Sequence, residues 1–271
     1  MREGIFENVN FKRVGVKMKI AIVTGASSGI GREFVKQIDA RYELDEMWVI
    51  ARRAERLEEL KNIIKSRVVL ISLDLSQKES VEILKDKLKS EAPDVSVLVN
   101  AAGYGKFGKF DELDADEQIG MLDLNARAVT EITHCVLPYM NKGAEIYQVC
   151  SRSGFHPVPY MSVYAATKAY VLNFSRGLNV ELKSRGIRVI AVCPGWVKTE
   201  FFDRAVVDDK TIVYYNTFVT AEAVVKLALK DMKRGRDVSV CGFTTRYQLL
   251  IAKYIPHRMV MWIWCRQQKK C

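Results

Sequence analysis

The sequence predicts one doubly wound α/β domain, a parallel sheet with helices on both faces, over residues 19–243. Three observations predict it. Short β-branched apolar runs alternate with longer stretches of helical periodicity along nearly the whole chain, and right-handed crossovers turn such βαβ units into a parallel sheet covered on both faces. A glycine-rich turn follows the first apolar run directly, at 24–31. The composition is ordinary for a globular chain: 271 residues, 49% hydrophobic and 27% charged. That excludes collagen, low-complexity disorder and a disulfide scaffold. At this length folding buries roughly three quarters of the surface the unfolded chain exposes, so no metal or disulfide is needed to hold a core. No repeat, Ser/Pro linker or composition break marks a second domain.

The elements follow in order. Residues 1–18 carry scattered charges such as Arg2, Glu7 and Arg13. They lack the apolar core of a secretory signal, so they read as an N-terminal extension and export is not expected. Ile20, Ala21, Ile22 and Val23 form the first strand, followed by a helix over 30–40. The second strand is Met47, Trp48, Val49 and Ile50, and a charged helix over 54–65 succeeds it. Next come a strand at 68–73, a helix at 80–89, a strand at 95–99 and a long helical stretch ending near Met140. The rest reads as strand 145–149, helix 162–184, strand 188–192, helix 221–233 and strand 237–240. Residues 244–271 form an apolar, basic tail that Pro256 breaks into two helical pieces.

The formal charge is +10. In the tail Arg246, Lys253, Arg258, Arg266, Lys269 and Lys270 occur with no Asp or Glu, interleaved with aromatic and aliphatic residues. Its longest uncharged run, 259–265, falls far short of the roughly 18–20 residues that cross a bilayer. Three readings of the tail stand: it covers a pocket, packs in an oligomer interface, or lies on an anionic membrane surface, the first two being preferred. The cysteines (135, 150, 193, 241, 265 and 271) form no C-x-x-C pair and have no His placed to complete a zinc site. They read as reduced thiols of a cytoplasmic protein, with no metal site.

The glycine-rich turn reads Thr24, Gly25, Ala26, Ser27, Ser28, Gly29, Ile30, Gly31. Glycines at a first strand-to-helix junction let backbone approach a pyrophosphate, whose charge meets the helix N-terminal amides. A plain turn between strand and helix would also use them. The second strand ends in Arg52 and Arg53, where guanidinium groups suit a ribose 2′-phosphate and a carboxylate would suit a free 2′-hydroxyl. Arg52 is the expected selector of NADP, Arg53 its support; solvated helix-start residues are the bland alternative. Asp74, followed by Leu75, is placed to accept from an adenine amino group or to cap the next helix. Asn100, Ala101, Ala102 and Gly103 follow the fourth strand, and Asn125 sits inside a helical stretch, where an Asn can also simply bend it. Ser151 lies just past the fifth strand, with Ser153 as its competitor. Tyr164 and Lys168, four apart, share one helix face; an ammonium beside a phenol lowers the phenol's pKa.

Taken together, these residues make the chain resemble the short-chain dehydrogenase/reductase family, over about 19–240. The motifs carrying the likeness are the 24–31 loop, the 100–103 turn, Asn125, Ser151, the Tyr164/Lys168 pair, and Pro194, Gly195 and Thr199 after the sixth strand. The resemblance implies a Rossmann-type parallel sheet of seven strands, a homodimer or homotetramer, and NAD or NADP as hydride carrier. It implies Tyr164 as general acid or base, Lys168 as its tuner and ribose anchor, Ser151 as holder of the substrate oxygen and Asn125 as anchor of a relay water. Cofactor contacts would come from Gly25, Ser27, Ser28, Gly29, Ile30 and Gly31, from Arg52, Arg53, Asp74 and Leu75, and from Asn100, Ala101 and Gly103. Pro194, Gly195, Val197 and Thr199 would line the nicotinamide.

Substrate contacts are expected from Phe155, Tyr160 and Trp196 beside Ser151 and Tyr164, with His156, Phe201, Phe202, Val206 and Val207 nearby. Such a lining prefers an apolar or ring-bearing carbonyl compound, although aromatics also serve plain core packing. The leading expectation is an NADP(H)-dependent oxidoreductase acting on a hydrophobic ketone or alcohol of steroid, bile-acid, acyl or aromatic class. NAD-dependent alcohol oxidation at the same site and a non-catalytic NADP(H) sensor are the alternatives. Nucleic-acid binding rests on charge alone and is not expected.

Overall fold

The computed structural model describes residues 17–206, 211–215 and 217–270. The N-terminal extension, save Lys17 and Met18, and Val207 lie outside the described residues. The first half runs β1 (Lys19–Thr24), α1 (Gly29–Asp39), β2 (Glu46–Ala51), α2 (Ala54–Glu58), β3 (Arg67–Ser72), α3 (Lys78–Glu91) and β4 (Asp94–Asn100). Then come α4 (Ala115–Leu122), α5 (Ala128–Val136), β5 (Glu145–Val149), α6 (Ser162–Glu181), β6 (Arg188–Val192), β7 (Trp196–Val197) and α7 (Phe201–Ala205). The chain closes with β8 (Phe218–Val219), α8 (Ala221–Lys233), β9 (Val238–Ser239), α9 (Phe243–Ala252) and α10 (His257–Gln267). One sheet has seven strands in the order β3-β2-β1-β4-β5-β6-β9, every pair parallel. Because β1 lies between β2 and β4, the crossovers diverge there, which opens a crevice at the strands' C-terminal ends.

Period-two alternation explains why the strand sequences are apolar without a break. In β1 and β2, Ala21, Val23, Met47 and Val49 pack with α1 residues Phe34, Val35 and Ile38 on one face. Ile20, Ile22, Trp48 and Ile50 pack with α3 and α5 on the other. Each face of the sheet is a core, so every position of β2 and every position of β1 after the exposed Lys19 is buried.

Two expected helices are interrupted. The charged helix over 54–65 ends as α-helix at Glu58 and tightens into a 3-10 turn, Glu59–Asn62. Leu57 and Leu60 are both fully buried, and a three-residue repeat brings such residues onto one line. The long helical stretch before Met140 begins where Asp114 caps α4 by accepting from the amides of Asp116 and Glu117. It then widens into a π-helical turn, Asp123–Arg127, centred on Asn125, a feature frequent at functional positions.

A buried polar cluster sits at the start of β5. Glu145 accepts from the hydroxyls of Tyr42 (2.5 Å) and Tyr147 (2.5 Å) and from Arg188 (2.6 Å). Burial and the adjacent carboxylate push the Tyr42 hydroxyl up to about 12 and Tyr147 well above the usual range, so both stay donors. Removing the acceptor takes the carboxylate from two phenols that then have only each other, and from a guanidinium that keeps its bond to the Met232 carbonyl. Glu145→Ala should therefore destabilise the fold by on the order of 3 kcal/mol in urea unfolding, and a change below 1 kcal/mol would show that water replaces the carboxylate.

Candidate functional site

The crevice is a cavity of about 670 Å³ running from the glycine turn past Ser151, Tyr164 and Lys168 to an apolar end. Backbone geometry builds the first part. Gly25 has φ 66°, and a Cβ there would stand 2.7 Å from the amide nitrogen of Ala102; a Cβ on Gly31 would stand 2.2 Å from the carbonyl oxygen of Gly25. Thr24 Oγ1 accepts from the amides of Ala101 (3.0 Å) and Ala102 (3.1 Å), tying the turn to the loop after β4. The first turn of α1 holds no acidic residue of its own, and its positive end faces the cavity, where the Glu200 carboxylate reaches the N-cap residue Ser28.

The next wall is cationic. Arg53 donates to Ser27 Oγ at 3.3 Å and pairs with Glu200 at 2.8 Å; Arg56 reaches the same carboxylate at 3.7 Å. The Arg53 hydrogen bond holds the Glu200 carboxyl below its usual range. Arg52 is the looser of the two, with Asp74 at 3.8 Å. Asp74 accepts from the Ser76 amide and hydroxyl. Burial would raise its carboxyl, but those bonds, with Arg52 and Arg204 nearby, hold it below the usual range.

Asn125 is fully buried in its π-turn. Its Oδ1 accepts from the Tyr104 amide (3.0 Å), and its Nδ2 donates to the Tyr104 carbonyl (2.8 Å) and to Thr167 Oγ1 (3.2 Å). The side chain thereby clamps the loop after β4 against α6. Ser151 Oγ accepts from Ser153 Oγ (2.9 Å) and the Ser153 amide (3.2 Å). The two serines are thus partners: Ser153 sits behind Ser151 and leaves the Ser151 proton free to point elsewhere.

The expected lowering of the Tyr164 pKa by Lys168 is corrected by the structure. Burial dominates and pushes the Tyr164 hydroxyl well above its ordinary value, against an opposing hydrogen bond with Ser151. Lys168 Nζ lies over the Tyr164 ring, 5.7 Å from its centroid, and donates to the Val149 carbonyl at 2.9 Å. Burial pushes the lysine down. A Cβ on Gly103 would come within 3.4 Å of Lys168 Nζ, which places the ammonium beside the loop after β4.

Three other expectations are corrected by packing. Asn100 is buried with its Nδ2 on Thr133 Oγ1 (3.0 Å), turned away from the cavity wall. Phe155 packs against the cluster of Val171, Leu172 and Cys193. Tyr160, in the left-handed region at φ 65°, packs on the cluster around Met161 and receives Lys270 over its ring at 5.4 Å. Neither aromatic lines the cavity. Trp196 does, with Val158, Met161, Phe201, Phe202 and Val206.

Sequence reasoning missed Arg152 and Glu200, which line the cavity, while Trp264 lines it from the tail, in keeping with the reading of that tail as a pocket cover. Arg152 donates to Gln248 of α9 at 3.0 Å and lies 5.7 Å over Trp196; burial pushes its guanidinium down. Its place between two serines was a readable signal. Trp264 donates from Nε1 to the Pro159 carbonyl at 3.0 Å, a contact between residues 105 apart in sequence that no local pattern announces. His156 also lines the cavity, its Nδ1 3.2 Å from the Pro157 carbonyl, and burial with Arg152 alongside pushes its pKa down.

Residues 19–210 match the family model described as short chain dehydrogenase. The chain is 34% identical over 209 residues to the very-long-chain 3-oxoacyl-CoA reductase-B of Danio rerio, covering 74% of this chain and 66% of that protein. It is 34% identical over 189 residues to sulfoacetaldehyde reductase 2 of Chromohalobacter salexigens, covering 67% of this chain and 74% of that protein. Among solved structures, a short-chain dehydrogenase from Sphingobium yanoikuyae in complex with NADPH superposes with a TM-score of 0.74 at 28% identity, over 90% of this chain and 95% of that one.

Proposed function

The chain belongs to the short-chain dehydrogenase family and is an oxidoreductase of the nicotinamide-dependent kind; from that premise we propose an NADP(H)-dependent enzyme that interconverts a carbonyl and a secondary alcohol on a hydrophobic substrate. One observation carries the reading. Tyr164, Ser151 and Lys168 stand at the junction between a glycine cradle and an apolar wall within a single cavity. The residues present fit the cofactor: two glycines admit no Cβ against the backbone, and Arg52 and Arg53 line the adjoining wall.

When bound, the nicotinamide supplies or accepts the hydride. Everything else is the work of this chain. Ser151, its oxygen already held by Ser153, directs its proton at the substrate oxygen and fixes the carbonyl beside Tyr164. Tyr164, kept protonated by burial, gives its proton to that oxygen as the carbonyl is reduced, and takes one back in the reverse direction. Lys168, hung from the Val149 carbonyl, presents its remaining N–H donors beside Gly103, where ribose hydroxyls would lie. Asn125 positions the loop after β4 through Tyr104. The apolar wall from Val158 to Val206 supports an acyl, steroid or aromatic ketone.

A second substrate reading is favoured by Arg152. Among the described residues it has no carboxylate within ion-pair distance, and it lines the cavity next to Ser151. A guanidinium there suits a substrate that also carries an anionic group, as the compound named for the Chromohalobacter relative does.

Fluorescence titration with NADPH and NADH tests the cofactor assignment, followed by a panel of steroid, acyl, aromatic and anionic carbonyl compounds. NADPH should bind at least about tenfold tighter than NADH, and Arg53→Ala should weaken NADPH by about 10- to 100-fold with little effect on NADH. Glu200→Gln, which frees Arg53, should strengthen NADPH. Equal affinity for both nucleotides would overturn NADP selectivity, and binding of neither would overturn the enzyme reading.

A further inference from the structure

The C-terminal tail presents two different surfaces. Its inner side is tied down: Trp264 bonds to Pro159, and Gln268 Oε1 accepts from the amides of Val213 (2.9 Å) and Tyr214 (3.0 Å) while its Nε2 donates to the Tyr214 carbonyl (3.2 Å). Trp264, Gln268 and, on α9, Thr245 are buried. The outer side is apolar and bare. Phe243 is 86% exposed, Tyr254 76%, Tyr247 57%, Leu250 56%, Trp262 53% and Met259 52%. Large apolar side chains this exposed and this concentrated mark an interaction surface.

Charge decides which partner fits. Arg246, Lys253, Arg258, Arg266, Lys269 and Lys270 are all exposed, and among the described residues none of them pairs with a carboxylate. The tail itself contains no Asp or Glu. Arg266 lies 5.3 Å over the Trp262 ring and Lys253 5.9 Å over the Tyr254 ring, so cations and aromatics occupy the same face. Aromatic and aliphatic side chains with interspersed Lys and Arg are what a helix needs to lie in a bilayer interface, rings at the headgroup level and cations on anionic lipid. No helix among the described residues is long and apolar enough to cross a membrane, so the contact is with one leaflet. A second copy of this chain is a poorer occupant. A two-fold contact apposes the same patch from both subunits, which would bring these unpaired cations together with no acidic partner.

We infer that the outer face of α9 and α10 docks on an anionic lipid bilayer surface. Trp264 lines the cavity and its helix neighbours Trp262 and Ile263 face outward, so docking brings one wall of the cavity to the membrane. A lipid-dissolved carbonyl compound would then reach the apolar end without crossing water. That last consequence rests on the proposed activity; the docking does not.

The full-length protein is sedimented with vesicles of phosphatidylcholine mixed with phosphatidylglycerol, and separately with phosphatidylcholine alone. Association is expected with the anionic vesicles only and should weaken as salt is raised. Trp48, Trp196 and Trp264 are buried while Trp262 is exposed, so a blue shift of tryptophan emission on vesicle binding reports Trp262. Trp262→Phe should abolish that shift while sedimentation persists. Lys253→Glu combined with Arg258→Glu should weaken vesicle binding about tenfold or more, with nucleotide affinity unchanged. The inference is overturned if the folded protein, shown competent by nucleotide titration, stays in the supernatant with anionic vesicles at low salt. It is equally overturned if the emission shift accompanies a concentration-dependent dimer formed without lipid.

Discussion

Tyr164→Phe is expected to lower kcat for carbonyl reduction by about 10²- to 10⁴-fold, the range for loss of a positioned general acid, and to leave nucleotide affinity nearly unchanged. The substitution keeps the ring, which is buried and packs 5.6 Å from Phe201 between centroids, so the pocket keeps its shape. Only the hydroxyl goes. Single-turnover reduction beside nucleotide titration separates the two effects, and full activity in the variant would refute the mechanism. The wild-type pH profile follows from the same burial. A phenol pushed above its ordinary pKa is protonated at every pH below about 10. The acid is therefore present throughout the neutral range, and kcat/KM for reduction should hold level up to about pH 9 and fall only on the alkaline side. A fall near neutral pH would assign the proton to another group.

Gly31→Ala should abolish measurable nucleotide binding, an expected loss of at least about 100-fold, and cost about 1–3 kcal/mol of stability through overpacking. The new methyl would stand 2.2 Å from a backbone oxygen of Gly25, with the Gly25 carbonyl carbon at 2.7 Å and the Thr24 oxygen at 3.2 Å. No rotamer relieves a clash with main chain, so the turn and the start of α1 must separate. Gly177 in α6 is the control, because a Cβ there meets nothing within 4 Å. Gly177→Ala should leave nucleotide affinity alone and raise stability by up to about 1 kcal/mol. If Gly31→Ala bound NADPH normally, the glycine turn would be an ordinary connection and not a cofactor cradle.

Much of the molecule was legible in the one-dimensional pattern. The strands at Glu145–Val149 and Arg188–Val192 and the helix at Ala221–Lys233 fall where alternation and periodicity put them. The reason is that each must bury a whole run or a whole stripe of apolar side chains. The interruptions were less legible. The π-turn at Asn125 exists because its side chain is held by Tyr104 and Thr167, partners at separations of 21 and 42 residues.

The sequence by itself determined the α/β order, the seven-stranded sheet's apolar runs, the glycine turn after β1 and the spacing of Ser151, Tyr164 and Lys168, because these follow from neighbours along the chain. Tertiary structure alone decided what surrounds each group. It buried Tyr164 deeply enough that desolvation outweighs the opposing Ser151 hydrogen bond, and it hung Lys168 on Val149. It set Glu200 against Arg53, brought Arg152 and Trp264 to the cavity and turned Phe155 and Tyr160 from it. Burial, ion pairing and exposure are properties of what packs against a side chain. For the tail that distinction is sharpest: its composition announced apolar and basic residues, and only the seating of Trp264 and Gln268 decided which of them face outward.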